Sequence, residues 1–189
     1  MQRLCLPTAA MNDRYRLTFV CMGNICRSPT ADGVMRHKVA ARNWQRWIEV
    51  DSAGTHAYHV GEPPDRRSQQ HARQRGYDLS MLRARQLVAE DFERSDLVLV
   101  MDWDNLALAE ALCPPTQRRK LKRLTEFCTR HDSPVVPDPY YGGAQGFEQV
   151  LDLVAEVFLE HGLVLVEVDD DPGEQATDES CADTDPEVR

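Results

Sequence analysis

No stretch of this 189-residue chain is apolar for long enough to cross a bilayer. The first residues carry Arg3 without the apolar run of a secretory signal. The expectation is therefore a protein with no membrane partner. A surplus of positive charge is also missing, since the formal net charge is −9. That removes the electrostatic footprint of a nucleic-acid binder. The negative charge is concentrated: residues 169–189 hold nine acids and one arginine, and the remainder sits near −1. Cysteine is present but without a framework. Cys5, Cys21, Cys26, Cys113, Cys128 and Cys181 are scattered, and although Cys21 and Cys26 could pair on a metal, no other Cys or His pair stands nearby to complete the four ligands of a structural zinc. No metal and no other cofactor is expected. A chain that uses free thiols needs a reducing compartment, and the cytoplasm fits.

What is present suffices for one domain with a sizeable core: 42% hydrophobic and 28% charged residues is an ordinary balance for a folded chain. Residues 1–13 have no strong pattern and read as a poorly ordered extension. Residues 14–161 read as the folded domain. Residues 162–189 read as an acidic, mostly disordered tail, although Leu163 to Val168 alternates as a short strand would.

Along the domain, Arg16 to Val20 predicts a strand and Ala31 to Ala41 a helix, with Val34, Met35 and Val39 at helical spacing. Ile48 to Ala53 predicts a second strand. Asp65 caps a polar helix from Arg66 to Arg75 that Gly76 stops. Leu97 to Met101 is continuously apolar, as in a buried parallel strand. A helix over Leu106 to Leu112 breaks at Pro114-Pro115, and the rather polar Lys120 to Leu124 suits an edge strand. Phe147 to His161 is amphipathic. Strands alternating with helices predict an α/β fold: a three-layer, four-stranded parallel twisted sheet with helices on both faces.

The stretch Val20 to Thr30, V-C-M-G-N-I-C-R-S-P-T, runs from the first strand through a tight loop into a helix. Loop N–H groups and a helix N-terminus make an anion site. Gly23 lets the loop curl where a Cβ would clash, and Pro29 suits the first helical turn. Cys21 at the loop mouth brings a nucleophile. Arg27, six residues on, brings a planar fork that matches two phosphate oxygens. Amide dipoles and a guanidinium stabilise a thiolate, so covalent phosphoryl transfer to Cys21 is the natural chemistry. A cysteine ending a buried strand is more often a small core residue, and C-x5-R alone is common. The strand before it, the glycine within and the Ser-Pro after it favour the catalytic reading.

C-M-G-N-I-C-R-S-P resembles the phosphate-binding loop of low-molecular-weight protein tyrosine phosphatases, and Asp138-Pro139-Tyr140-Tyr141 resembles that family's general-acid loop. Between them, Asp51 to Thr55, Val60-Gly61, Ala84 to Gln86 and Val100 to Asp102 resemble family segments in the family's order. The resemblance spans roughly residues 15 to 161 and implies a Rossmann-like fold of the phosphotyrosine phosphatase I type. It implies hydrolysis of phosphotyrosine through a cysteinyl phosphate, without metal or cofactor. Cys21 would be the nucleophile, Arg27 the phosphate clamp and Asp138 the general acid and base. Met22, Gly23, Asn24, Ile25, Cys26 and Ser28 would complete the phosphate loop. Ser28 would donate to Cys21 or cap the following helix. Asn24 would shape the loop, with a left-handed backbone. Cys26 would form a reversible disulfide with Cys21 under peroxide. Tyr58 would form one wall of the cleft, and Tyr140 and Tyr141 the other. The implied partner is a phosphotyrosine-containing protein, a bacterial tyrosine kinase being one such substrate, met by a monomer or weak oligomer.

One departure stands out. Leu82 occupies the place where the family usually has a histidine bonded to the loop asparagine and serine, so either another group supports Asn24 or turnover is reduced. Three rival readings remain. Thioredoxin-coupled arsenate reductases share the fold but need two relay cysteines, and 83–112 contains none. Protein arginine phosphatases tend to have threonine where Ile25 stands. A phosphopeptide-binding module without turnover would have little reason to keep Cys21, Arg27 and Asp138 together.

Overall fold

A computed structural model describes residues 14–159, so the readings placed on residues 1–13 and beyond 159 lie outside the described residues. The chain forms a four-stranded sheet in the order β2-β1-β3-β4. Its strands are β1 (Tyr15–Cys21), β2 (Ile48–Gly54), β3 (Leu97–Val100) and β4 (Leu121–Arg123), and every pairing is parallel. The helices are α1 (Arg27–Ala41), α2 (Arg66–Gln74), α3 (Ala89–Arg94), α4 (Trp103–Leu112) and α5 (Ala144–Leu159). Short 3-10 turns, Pro115–Lys120 and Leu124–Phe127, flank β4.

Alternation along β1 divides the core into two layers. Leu17, Phe19 and Cys21 join Met35, Val39, Leu99, Leu151 and Val154 on the face covered by α1 and α5. Val20 joins Phe92, Val98, Val100 and Ala109 on the face covered by α3 and α4. Both faces are therefore buried, and β3 reads Leu-Val-Leu-Val without a polar residue because neither side meets water. The predicted three-layer architecture and the edge position of β4 are what the structure has.

Boundaries moved where local signals were weak. α1 begins at Arg27 rather than Ala31, α4 at Trp103 rather than Leu106, and α5 at Ala144 rather than Phe147. The early start of α4 comes from Asp102, whose carboxylate accepts the Asn105 N–H at 2.7 Å. α3 had no forecast: it is six residues long, with Asp91 accepting the Val88 N–H. Asp65 caps α2 through the Arg67 N–H, and Gly76 ends that turn with φ +85.

Candidate active site

Cys21 is the last residue of β1, and the chain turns over Met22 to Cys26 before α1 starts at Arg27. This places the loop at the carboxyl edge of the parallel sheet, where such folds bind ligands. Among the described residues, no protein acceptor takes the N–H groups of Met22, Gly23, Asn24, Ile25 or Cys26. Five consecutive free amides beside a helix N-terminus form an anion cradle. Asn24 holds the loop's shape from a left-handed backbone (φ 55). Its amide donates to Ser28 Oγ at 2.9 Å, and its carbonyl oxygen accepts the Arg85 N–H at 2.9 Å. A backbone donor thus supports Asn24, while Leu82 packs against the hydrophobic core.

One expectation is corrected here. Ser28 does not cap α1: Cys26 occupies that position, without a side-chain cap bond, and Ser28 is the second helical residue. Its hydroxyl instead lies 3.0 Å from Cys21 Sγ and 3.2 Å from the Ala53 carbonyl. Gly23 has no positive φ, and the reason for a glycine there is the close approach of a neighbouring ring. A Cβ at position 23 would lie 3.0 Å from the His59 ring. The tighter requirement is at Gly54, where a Cβ would sit 2.8 Å from the Met22 carbonyl oxygen and 3.1 Å from Asn24 N. The end of β2 therefore lies directly against the loop backbone, and Thr55 and His56 continue the contact by donating to the Cys21 and Met22 carbonyls.

Arg27 is almost fully buried, and its partners define the site's electrostatics. Nη2 binds Asp138 Oδ2 at 2.9 Å. Nη1 binds Asp102 Oδ2 and donates to the Val136 carbonyl at 3.2 Å. Burial by itself would depress this guanidinium, but Cys21, Asp138 and Asp102 around it push it above its ordinary value. It is a fixed cation at the mouth of the amide cradle. Burial also pushes the Cys26 thiol up to about 12, with Asp65, Cys21 and Asp138 adding to the rise, so Cys26 stays protonated. Cys21 and Cys26 are both free thiols. No three His, Cys, Asp or Glu side chains among the described residues are grouped as a metal ion would need.

The aromatic residues differ in support. Tyr58 is exposed and stacks on His56, with ring centroids 5.0 Å apart. Tyr140 and Tyr141 meet edge to face at 5.0 Å, with Tyr141 almost entirely in solvent. Arg67 stacks over the Tyr140 ring and donates to the Tyr140 carbonyl at 3.0 Å. Asp138 Oδ1 accepts the Tyr140 N–H at 3.1 Å, so the acid and its neighbour form one turn.

Sequence reasoning missed Asp102, Gly54 and Arg67 as members of the site. Asp102 and Gly54 fell inside segments that resembled the family, but nothing local marks Asp102 as more than a helix cap or Gly54 as more than a turn. Their roles depend on strands that meet only in the folded sheet.

Residues 16–163 match the profile of the family described as low molecular weight phosphotyrosine protein phosphatase. A low molecular weight protein-tyrosine-phosphatase of Streptomyces coelicolor is 41% identical over 146 residues, which is 74% of this chain and 87% of that one. The crystal structure of a protein tyrosine phosphatase from Entamoeba histolytica superposes with a TM-score of 0.73 at 38% identity, covering 76% of this chain and 91% of that one. A Drosophila arginine phosphatase superposes with a TM-score of 0.69 at 34% identity, covering 75% and 91%. With the family profile spanning most of the chain, and this identity carried across nearly the whole length of its relatives, the chain belongs to the low-molecular-weight protein tyrosine phosphatase family.

Proposed function

We propose that this protein hydrolyses phosphotyrosine in protein substrates through a cysteinyl phosphate on Cys21. The observation that carries this reading is the convergence on one loop mouth of a thiol, five acceptor-free amides and the buried Arg27, which also grips Asp138. A phosphoryl dianion entering the cradle takes the amides and the Arg27 fork, releasing the Asp138 carboxyl. The Cys21 thiolate attacks phosphorus, and the phosphorus–oxygen bond to tyrosine breaks. Asp138, freed from Arg27, takes up the proton that the Cys21 thiol gives up and passes it to the departing phenol oxygen, which needs it because tyrosine's phenol has a pKa of about 10. Water, deprotonated by the same carboxylate, then displaces the sulfur and releases phosphate.

Ser28 has one hydroxyl proton and two acceptors within reach. With Cys21 as thiol, that proton goes to the Ala53 carbonyl and the thiol donates to Ser28. With Cys21 as thiolate, Ser28 donates to sulfur. The hydroxyl therefore supports the anion both before attack and as the leaving thiolate. Met22, Gly23, Ile25 and Cys26 contribute their amides, and Tyr58, Tyr140 and Tyr141 contribute the walls that hold a phenyl ring. Cys26 supplies the second thiol for a protective disulfide with Cys21. Residues 14–161 would constitute the phosphatase domain, working in the reducing cytoplasm. The substrates would be phosphotyrosine proteins, a bacterial tyrosine kinase being one such partner.

Rapid-quench mass spectrometry during turnover of a phosphotyrosine peptide tests the mechanism. The expected result is a phosphate adduct on the peptide containing Cys21, abolished in Cys21→Ala. Turnover without any adduct would refute it. Comparison with phosphoarginine tests the substrate class. Ile25, buried among Cys26, Ala84 and Phe147, favours the tyrosine side, and faster hydrolysis of phosphoarginine would overturn that assignment.

A further inference from the structure

Trp103 and Arg123 belong to neither the phosphate loop nor the acid segment, yet together they touch the supports of both. Trp103 opens α4 directly after Asp102, the carboxylate that binds Arg27, and is 54% exposed. Arg123 ends β4, in register with Val100 of β3. Its guanidinium carbon lies 3.7 Å from the centroid of the Trp103 ring, a cation seated over an indole. The cation is held from other sides as well. Nη1 donates to the Pro134 carbonyl at 2.8 Å, and Nε faces the Glu126 carboxylate at 3.3 Å. Thr125 Oγ1 donates to the same Pro134 carbonyl at 3.0 Å.

Pro134 lies four residues before Asp138. Two residues further on, the Val136 N–H donates to the Met101 carbonyl at 2.7 Å, and the Val136 carbonyl accepts from Arg27. The segment that delivers Asp138 is therefore gripped at Pro134 by Arg123 and at Val136 by the end of β3. A shift of Arg123 would move Pro134. A shift of Trp103 would move the seat on which Arg123 rests.

We infer that Arg123, seated on Trp103, is a positioning residue for the first chemical step: through Pro134 it sets the approach of the Asp138 carboxyl to the leaving oxygen, without contributing to phosphate binding. Its side chain meets Trp103, Pro134 and Glu126, none of them in the phosphate loop. The inference rests on the reading of Asp138 as general acid. Misplacing a proton donor by a fraction of an ångström is enough to slow a step that depends on it. It should hardly slow departure of a group that leaves well without a proton.

The test compares kcat/KM for phenyl phosphate with that for p-nitrophenyl phosphate, two substrates of similar shape whose leaving groups differ greatly in acidity. Arg123→Ala should lose about tenfold more on phenyl phosphate than on p-nitrophenyl phosphate, with the inhibition constant of inorganic phosphate changed less than about twofold. Arg123→Lys, which keeps a donor for Pro134, and Trp103→Phe, which keeps an aromatic seat, should show the same imbalance to a smaller degree. Equal losses on both substrates, weakened phosphate binding or no loss would overturn the inference. Should Arg123→Ala fail to fold, the two conservative variants decide by the same ratio. Asp138→Asn separates the two ideas. If it lacks the leaving-group imbalance, the general-acid reading has failed. If it has the imbalance and the Arg123 and Trp103 variants do not, only the inference has failed.

Discussion

The phosphate loop and the acid segment meet at Arg27, but they are held in place by opposite means. The loop is eight contiguous residues, Cys21 to Ser28, anchored by a strand on one side and a helix on the other. Its internal bonds, Asn24 to Ser28 and Ser28 to Cys21, span seven residues or fewer. The acid segment, from Thr129 to Tyr141, contains no helix or strand. Distant side chains fix it instead. Glu156 of α5 collects the N–H groups of Thr129, Arg130 and His131 together with the His131 ring. Arg123 and Thr125 hold Pro134, Arg27 holds Val136 and Asp138, and Arg67 holds Tyr140. Cys21 thus rides on rigid elements, while Asp138 depends on several separate tethers. A local substitution should disable the first outright and displace the second by degrees.

The largest break in that contrast is Cys21→Ser, which should lower phosphotyrosine turnover by at least roughly 10^4-fold while leaving the thermal transition almost unmoved. Residual turnover within tenfold of wild type would show that the thiol is not the nucleophile. Asp138→Asn comes next, with a loss of about 10^2-fold in kcat/KM for phosphotyrosine and retained binding of inorganic phosphate. A loss confined to phosphate affinity would assign Asp138 to binding alone. Gly54→Val then tests whether the loop is held from below. The added side chain must push against the loop backbone, so kcat/KM should fall about tenfold and stability by about 1–3 kcal/mol. Unchanged kinetics would mean that the loop yields freely.

A smaller effect should come from Glu156→Gln, seen in stability and its pH dependence. Burial pushes the Glu156 carboxyl up, but the N–H donors of Arg130, Thr129 and His131 and the His131 ring outweigh it and hold the group down at about 2. Because the folded value is depressed, the contribution is present above the ordinary glutamate value of 4.5 and fades as pH falls towards 2. It should be on the order of 2–3 kcal/mol at neutral pH. Chemical denaturation of Glu156→Gln between pH 7 and pH 3 should show lower stability throughout and a shallower acid slope. An unchanged slope would place the acid sensitivity elsewhere. The smallest effect expected is that of Leu82→His. Asn24 already has the Arg85 N–H, and Leu82 packs against the core, so turnover should change less than about threefold while stability drops by about 1 kcal/mol. A tenfold gain in turnover would show that the backbone donor is an inadequate substitute.

Much of the loop was legible because its chemistry is contiguous. A strand, a cysteine, a glycine, an arginine at the sixth place and Ser-Pro form one local pattern whose meaning needs no distant partner. Asp138 was legible only through resemblance, since Asp-Pro by itself reads as a turn. Asp102 was read as part of a segment rather than as a partner of Arg27, and Arg123 and Glu156 were not legible at all. An arginine ending a polar edge strand and a glutamate on an amphipathic helix look like ordinary surface residues until the sheet and α5 bring Pro134 and His131 against them. The Ser28 correction has the same origin: Ser-Pro suggests a helix cap, but the tight turn draws Cys26 into that place and frees the serine for sulfur.

By itself the sequence determined the alternation of strands and helices, the parallel sheet and the tight turn from Cys21 into a helix, because hydrophobic periodicity and contiguous turn chemistry act over a few residues. The tertiary structure alone decided which carboxylates surround Arg27, what replaces the histidine absent at Leu82, and how the Asp138 segment is tethered. Those outcomes depend on groups 61 to 111 positions apart, and only strand register and helix packing bring such residues within hydrogen-bonding distance.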